Sequence, residues 1–248
     1  VDENGQLMVA DGGFTYLLVP GQEMQLAGML FSPGYPGWIR DVAYAGSNTW
    51  VATTANGEVA RWNPAEQASE VLASGYDRLM GVATDASGRV VAFAEMPTGR
   101  VLTVENGQVT EVASSLDRPM GVALSVDGTV FVAEAGAGRV VKIVGGRKET
   151  VIDGLGRPEG IAILGNTLFV ADPGSNSVVS CDLSGGARQA LATDLPIGGP
   201  GGAPTVQLGG VGDMCGPMNT FVGITAAADG TVYLSADAEG SVIALRKN

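Results

Sequence analysis

The stretch RPMGVALSVDGTVFVAEAGAGRVVKIV, residues 118–144, decides how this chain folds. It opens on an apolar run after Gly121 and reaches a two-residue turn at Asp127-Gly128. β-Branched residues then alternate through Val130 and Val132, a second turn follows, and another strand runs through Val140 and Ile143. Short Val-rich runs bounded by Asp-Gly or Asn-Gly are hairpin signals, because tight hairpin turns need positive φ and these residues adopt it at least cost. A fourth run, Glu149 to Ile152, completes the pattern. No helical period is sustained, so the unit reads as a four-stranded antiparallel sheet with strands A to D.

The unit recurs. RLMGVATDASGRVVAFAEMPTGRVLTV (78–104) and RPEGIAILGNTLFVADPGSNSVVSCDL (157–183) match it, and IRDVAYAGSNTWVATTANGEVARW (39–62) and FVGITAAADGTVYLSADAEGSVIAL (221–245) are more divergent copies. Taking Gly121 as anchor, its counterparts are Asp41, Gly81, Gly160 and Gly223, and successive anchors lie 40, 40, 39 and 63 residues apart. The last interval holds an insertion of about 24 residues. The N-terminal segment NGQLMVADGGFTYLLVPGQEMQLAG (4–28) aligns with strands B, C and D, which makes six B–C hairpins in 248 residues. That arithmetic predicts an all-β fold, a six-bladed β-propeller of four-stranded blades, with an all-β sandwich as the competing architecture. The expected boundaries are a partial blade one at 1–30, then blades at 37–75, 76–115, 116–154 and 155–193, an insertion at 194–220 and a partial blade six at 221–248.

Composition narrows the function classes. Acidic residues outnumber basic ones 26 to 14, and a net charge of −12 repels phosphate backbones, so nucleic acid is excluded as a partner. Gly, Pro or charge interrupts every hydrophobic run before the ~18 residues a bilayer span requires, so no membrane span is expected. There is no His and no Cys cluster, which disfavours zinc.

The phrases RPMGVALSVDGTVFVAEAGAGRVVKI and RPEGIAILGNTLFVADPGSNSVV resemble the NHL-repeat and senescence-marker/gluconolactonase type of six-bladed propeller, over nearly the whole chain. The resemblance implies a propeller whose D–A and B–C loops open on one face beside the central channel, where the enzymes of the group carry their sites. It does not imply one activity, since lactonases, lyases, synthases and binding modules share the fold. The metal-dependent lactonases place calcium ligands just before the anchor glycine. In this sequence that ring reads Arg40, Met80, Met120, Glu159 and Val222. Calcium takes six to eight oxygens and thioethers suit it poorly, so neither a metal nor a cofactor is expected. Met80, Met120 and Val222 either plug the channel or contact a ligand there. Arg40 and Glu159 belong to opposed blades, and either pair across the channel or grip a carbonyl compound with Glu159 as general base.

A second ring closes strand B: Asp11, Glu95, Glu134, Asp172 and Asp237. Turn capping and ion pairs with Arg100 and Arg139, five residues after Glu95 and Glu134, account for such acids, and Glu134 and Asp172 are also candidate ligand contacts at a negative mouth. The insertion, with eight Gly between 198 and 216, is expected to lie over the mouth as a lid carrying Asp213, Met214 and Cys215. Cys215 has no His to activate it, and Cys181 and Cys215 are expected to stay free thiols, too far apart to bridge.

Two functions fit. One is a module binding a small molecule or protein segment at the lid-covered mouth, within or beside a larger enzyme. The alternative is a metal-independent hydrolase or lyase acting on a small lactone, ester or related carbonyl compound. The alignment also lacks strand A of blade one and strand D of blade six, so an upstream or partner polypeptide is expected to complete the ring.

Overall fold

Strands form wherever the Val-rich alternation predicts them, and the computed structural model, which describes residues 1–19, 21–32, 35–36, 38–199 and 221–246, arranges them as a six-bladed β-propeller. Blade one holds β1 (Leu7–Asp11), β2 (Phe14–Leu18) and β3 (Gln25–Met29). A two-stranded ribbon of β4 (Phe31–Ser32) and β5 (Tyr35–Pro36) leads to blade two, made of β6 (Ile39–Tyr44), β7 (Trp50–Thr54), β8 (Val59–Asn63) and β9 (Ala68–Ala73). Blade three is β10 (Leu79–Thr84), β11 (Val91–Glu95), β12 (Arg100–Glu105) and β13 (Gln108–Ala113). Blade four is β14 (Pro119–Leu124), β15 (Val130–Glu134), β16 (Arg139–Val144) and β17 (Arg147–Ile152). Blade five is β18 (Ile161–Leu164), β19 (Thr167–Asp172), β20 (Ser177–Asp182) and β21 (Gln189–Ala192), and blade six is β22 (Ile224–Ala226), β23 (Val232–Ala236) and β24 (Ser241–Leu245). Among the described residues, blades two to five have four strands, and blades one and six have three.

Within each blade every pairing is antiparallel. β14 and β15 slip register between Pro119 and Val122, as β10 and β11 do between Leu79 and Val82 and β6 and β7 between Ile39 and Asp41. Such a bulge takes the residue before the anchor, Met120, Met80 or Arg40, out of the ladder and re-aims it. The anchors are glycine because the inner strands of neighbouring blades nearly touch there. A Cβ on Gly81, Gly121 or Gly160 would stand 2.6, 2.2 or 2.2 Å from the carbonyl oxygen of Met120, Glu159 or Val222 in the next blade.

The core lies between the blades. One apolar cluster joins blades three and four (Val101, Val122, Val132), another joins four and five (Val140, Leu168, Val170), and a small one, Leu7, Ala227 and Tyr233, joins blade six back to blade one. Outer strands such as β13 and β17 are mostly exposed. The inner strands surround a channel of about 290 Å³, whose wall on the side of blade one is Val1 together with Leu7 and Met8 of β1.

Of the insertion, residues 194–199 are described, and Leu195 and Ile197 are buried between blades five and six. Asp213, Met214 and Cys215 lie outside the described residues. Cys181 is a free, buried thiol whose Sγ donates to Gly186 O at 3.3 Å, and burial pushes it above the usual thiol range.

Candidate functional site at the channel mouth

The ring of residues before the anchors divides into buried apolar residues and charged ones. Met80 and Met120 are buried in one cluster, against which Met96 and Phe221 pack. Val222 is fully buried beside Leu195 and Ile197. Flexible thioethers fill irregular gaps well, and here they pack within the apolar cluster of blades three and four.

Glu159 is 2% exposed, and its Oε2 accepts the backbone N–H of Val222 at 2.8 Å. The guanidinium beside it is that of Arg157, two residues back, with Nε 3.1 Å from Oε1; Arg157 Nη2 also donates to Gly198 O at 3.4 Å. Burial is the largest influence on Glu159 and lifts its carboxyl to about 7, against the pull of the Val222 N–H and Arg157; the negative charge of Asp237 adds to the rise.

Arg40 lies in another sector. With Asp41, Phe221, Ser235 and Asp237 it lines a cavity of about 270 Å³ between blades six, one and two. Asp41 takes the anchor position that is glycine elsewhere. Its Oδ2 accepts the Val82 N–H and its Oδ1 the Val42 N–H, both at 2.9 Å, and burial, the dominant influence, raises it to about 7. Sequence reasoning used Asp41 only to count repeats and passed over Arg157. A signal for Arg157 existed, since Arg78, Arg118 and Arg157 all stand three residues before an anchor.

The acids that end strand B share a different geometry. Glu95 Oε1 accepts the Asp77 N–H (3.0 Å), Glu134 Oε1 the Asp117 N–H (2.8 Å), Asp172 the N–H groups of Gly156 (2.8 Å) and Arg157 (2.7 Å), and Asp237 Oδ1 the Gly198 N–H (2.7 Å). Each tethers the segment that enters the inner strand of its own blade or leads towards it. Glu134 is fully buried and also receives Arg139 Nε at 2.6 Å, while Glu95 takes Thr98 Oγ1 (2.5 Å) and Arg100 Nε (2.9 Å). Asp11 is exposed. No group of three or more His, Cys, Asp or Glu side chains placed to hold a metal occurs among the described residues.

No protein-family model and no curated protein matches the chain. Solved structures do. A chain of a nidogen/laminin complex superposes with a TM-score of 0.74 at 15% identity, covering 96% of this chain and 88% of that one. A streptogramin B lyase superposes at 0.65 with 14% identity over 100% and 91%. A catalytically inactive histidine-to-alanine variant of virginiamycin B lyase from Staphylococcus aureus, with quinupristin, superposes at 0.61 with 12% identity over 91% and 71%. At these identities the likeness establishes the architecture alone: the chain has the six-bladed propeller fold that these proteins share.

Proposed function

We propose that this propeller is a binding module whose recognition face is the channel mouth, with the cavity walled by Arg40, Asp41, Ser235 and Asp237 as its pocket for a small molecule or protein segment. One observation carries the reading: Asp41, Glu95, Glu134, Glu159, Asp172 and Asp237 each accept a backbone N–H of this same chain. A carboxylate committed to the fold is a poor proton shuttle, because withdrawing it strands a buried donor. The fold is also that of a protein found in complex with laminin, which accords with binding. His-dependent lyase chemistry is closed to a chain without His.

A second reading has its own support. The Glu159 carboxyl, raised to about 7 and flanked by Arg157, has the proton affinity of a general base at neutral pH. Turnover of a panel of lactones and aryl esters separates the two. The binding reading expects the background rate with the wild-type chain and with Glu159→Gln alike, and turnover that Glu159→Gln abolishes at unchanged melting temperature would replace it with the hydrolase or lyase reading.

A further inference from the structure

The segments that enter the inner strands of blades three, four and five each carry an arginine at the same place. Arg78, Arg118 and Arg157 stand three residues before Gly81, Gly121 and Gly160. The equivalent residue of blade two is Trp38, so the basic row covers three consecutive blades. The acids that end strand B hold this row in position. Glu95 and Glu134 take the N–H of the residue before Arg78 and Arg118, and Asp172 takes the N–H of Arg157 itself. From the other side, the N–H groups of Met96 and Ala135 donate to the carbonyls of Arg78 and Arg118. Both arginines sit in the left-handed region, with φ of 43° and 52°, where an L side chain is strained and glycine is not.

The guanidiniums presented in this way are only partly used. Arg118 is exposed, and no hydrogen bond or ion pair holds its side chain among the described residues, yet its charge reaches the Glu159 carboxyl and favours the ionised form. Arg78 meets its exposed neighbour Asp77 at 3.6 Å, a pair that water screens. The acids nearest the row are themselves occupied: Glu95 by Arg100, Glu134 by Arg139 and Glu159 by Arg157, while the charge of Asp117 acts on Arg139.

We propose that this row is the docking site for an extended acidic segment of a partner protein, whose carboxylates the guanidinium forks of Arg78, Arg118 and Arg157 receive. This rests on the binding-module reading of the mouth and names the chemistry of the partner. The arginines are carried by three separate blades, so carboxylates spaced along a peptide match them better than a single small anion does. A backbone fixed in advance lowers the cost of ordering on binding, which gives the left-handed arginines a use. The net charge of −12 repels an acidic partner at long range, so binding depends on guanidiniums met at contact.

Calorimetry of the whole chain with capped hexaglutamate tests this, with capped hexaglutamine, inorganic phosphate and citrate as comparison ligands. One-to-one binding of hexaglutamate is expected, about tenfold or more tighter than that of the other three. Arg78→Gln and Arg118→Gln should each weaken it about tenfold at unchanged melting temperature, since Arg118 is exposed and Arg78 has a screened contact. Arg89→Gln, an exposed arginine in the A–B turn of blade three, should bind as the wild type does. Absence of saturable binding overturns the proposal, as does equal binding of hexaglutamine, phosphate or citrate, none of which needs a folded variant. Wild-type affinity in both Arg78→Gln and Arg118→Gln overturns it too. Hexaglutamate that fails to bind while ester turnover stays at background removes the acidic segment alone. Glu159-dependent turnover removes the binding-module reading beneath it.

Discussion

Blade four and blade one each join strands B and C in a hairpin and end strand B on an acid, yet the two acids lead different lives. Glu134 is fully buried between the Asp117 N–H and Arg139, with β14 alongside its strand. Asp11 is exposed at the end of a strand with no inner neighbour among the described residues. The difference lies in the segment that enters the inner strand, and it shows that a ring of acids at a propeller mouth serves first to tether loops. Where an acid holds such a segment it is buried in the fold, as Glu134 is, and Asp11, which accepts no such N–H among the described residues, is exposed.

The sharpest way to break this comparison is to add one methyl group to an anchor glycine. Gly121→Ala puts a Cβ 2.2 Å from the Glu159 carbonyl oxygen, a backbone atom that cannot step aside, and is expected to cost about 3 kcal/mol. Gly223→Ala is expected within about 0.5 kcal/mol of wild type, because nothing lies closer than 3.9 Å. Urea unfolding of the two variants measures both, and equal costs would mean that the seams do not differ.

The acids themselves give the next largest effect. Glu134→Ala leaves the Asp117 N–H and Arg139 without their acceptor and is expected to cost about 2–3 kcal/mol, whereas Asp11→Ala should stay within about 0.5 kcal/mol. A loss at Asp11 as large as at Glu134 would show that burial does not separate the two acids.

The charged sector predicts a pH dependence opposite to that of ordinary acids. Asp41 and Glu159 are raised to about 7 when folded, so over the interval from about 4 to 7 the folded state holds protons that the unfolded chain releases. Stability should therefore be greater at pH 5 than at pH 8. Glu159→Gln combined with Asp41→Asn should flatten that slope, and urea midpoints across the interval measure it. Asp85, Glu95 and Asp182 are held below the usual range, so their contribution is lost at lower pH, below about 4, and does not mask the effect. The smallest expected effect is that of metal removal: a chelator should leave the melting temperature unchanged, because the ring before the anchors offers one carboxylate, Glu159, and it is bound to the Val222 N–H.

The period of about forty residues made the blades readable, because each is built from neighbours in sequence and each turn carries its own glycine or asparagine. The glycine at 81, 121 and 160 was legible as a repeat, but its cause was not, since the atom it must avoid belongs to the following blade. The charged sector was read in part. Glu159 and Arg40 were found by position in the ring, but which guanidinium stands beside Glu159 depends on how the segment before β18 turns, and Arg157 reaches it from within its own blade. Asp41 was invisible as a site residue because its carboxylate does what a glycine cannot, bridging to the Val82 N–H across the seam between blades two and three.

The small cluster of Leu7, Ala227 and Tyr233 has a kinetic consequence. The buried members of every other cluster among the described residues lie within about a hundred residues of one another, while this one joins positions more than 200 apart, so its formation bears a large loop-closure entropy. Blades are expected to condense from their local hairpins first and the circle to shut last, as a separate slow event. Tyr233→Ala should then speed unfolding while leaving the fast refolding phase untouched.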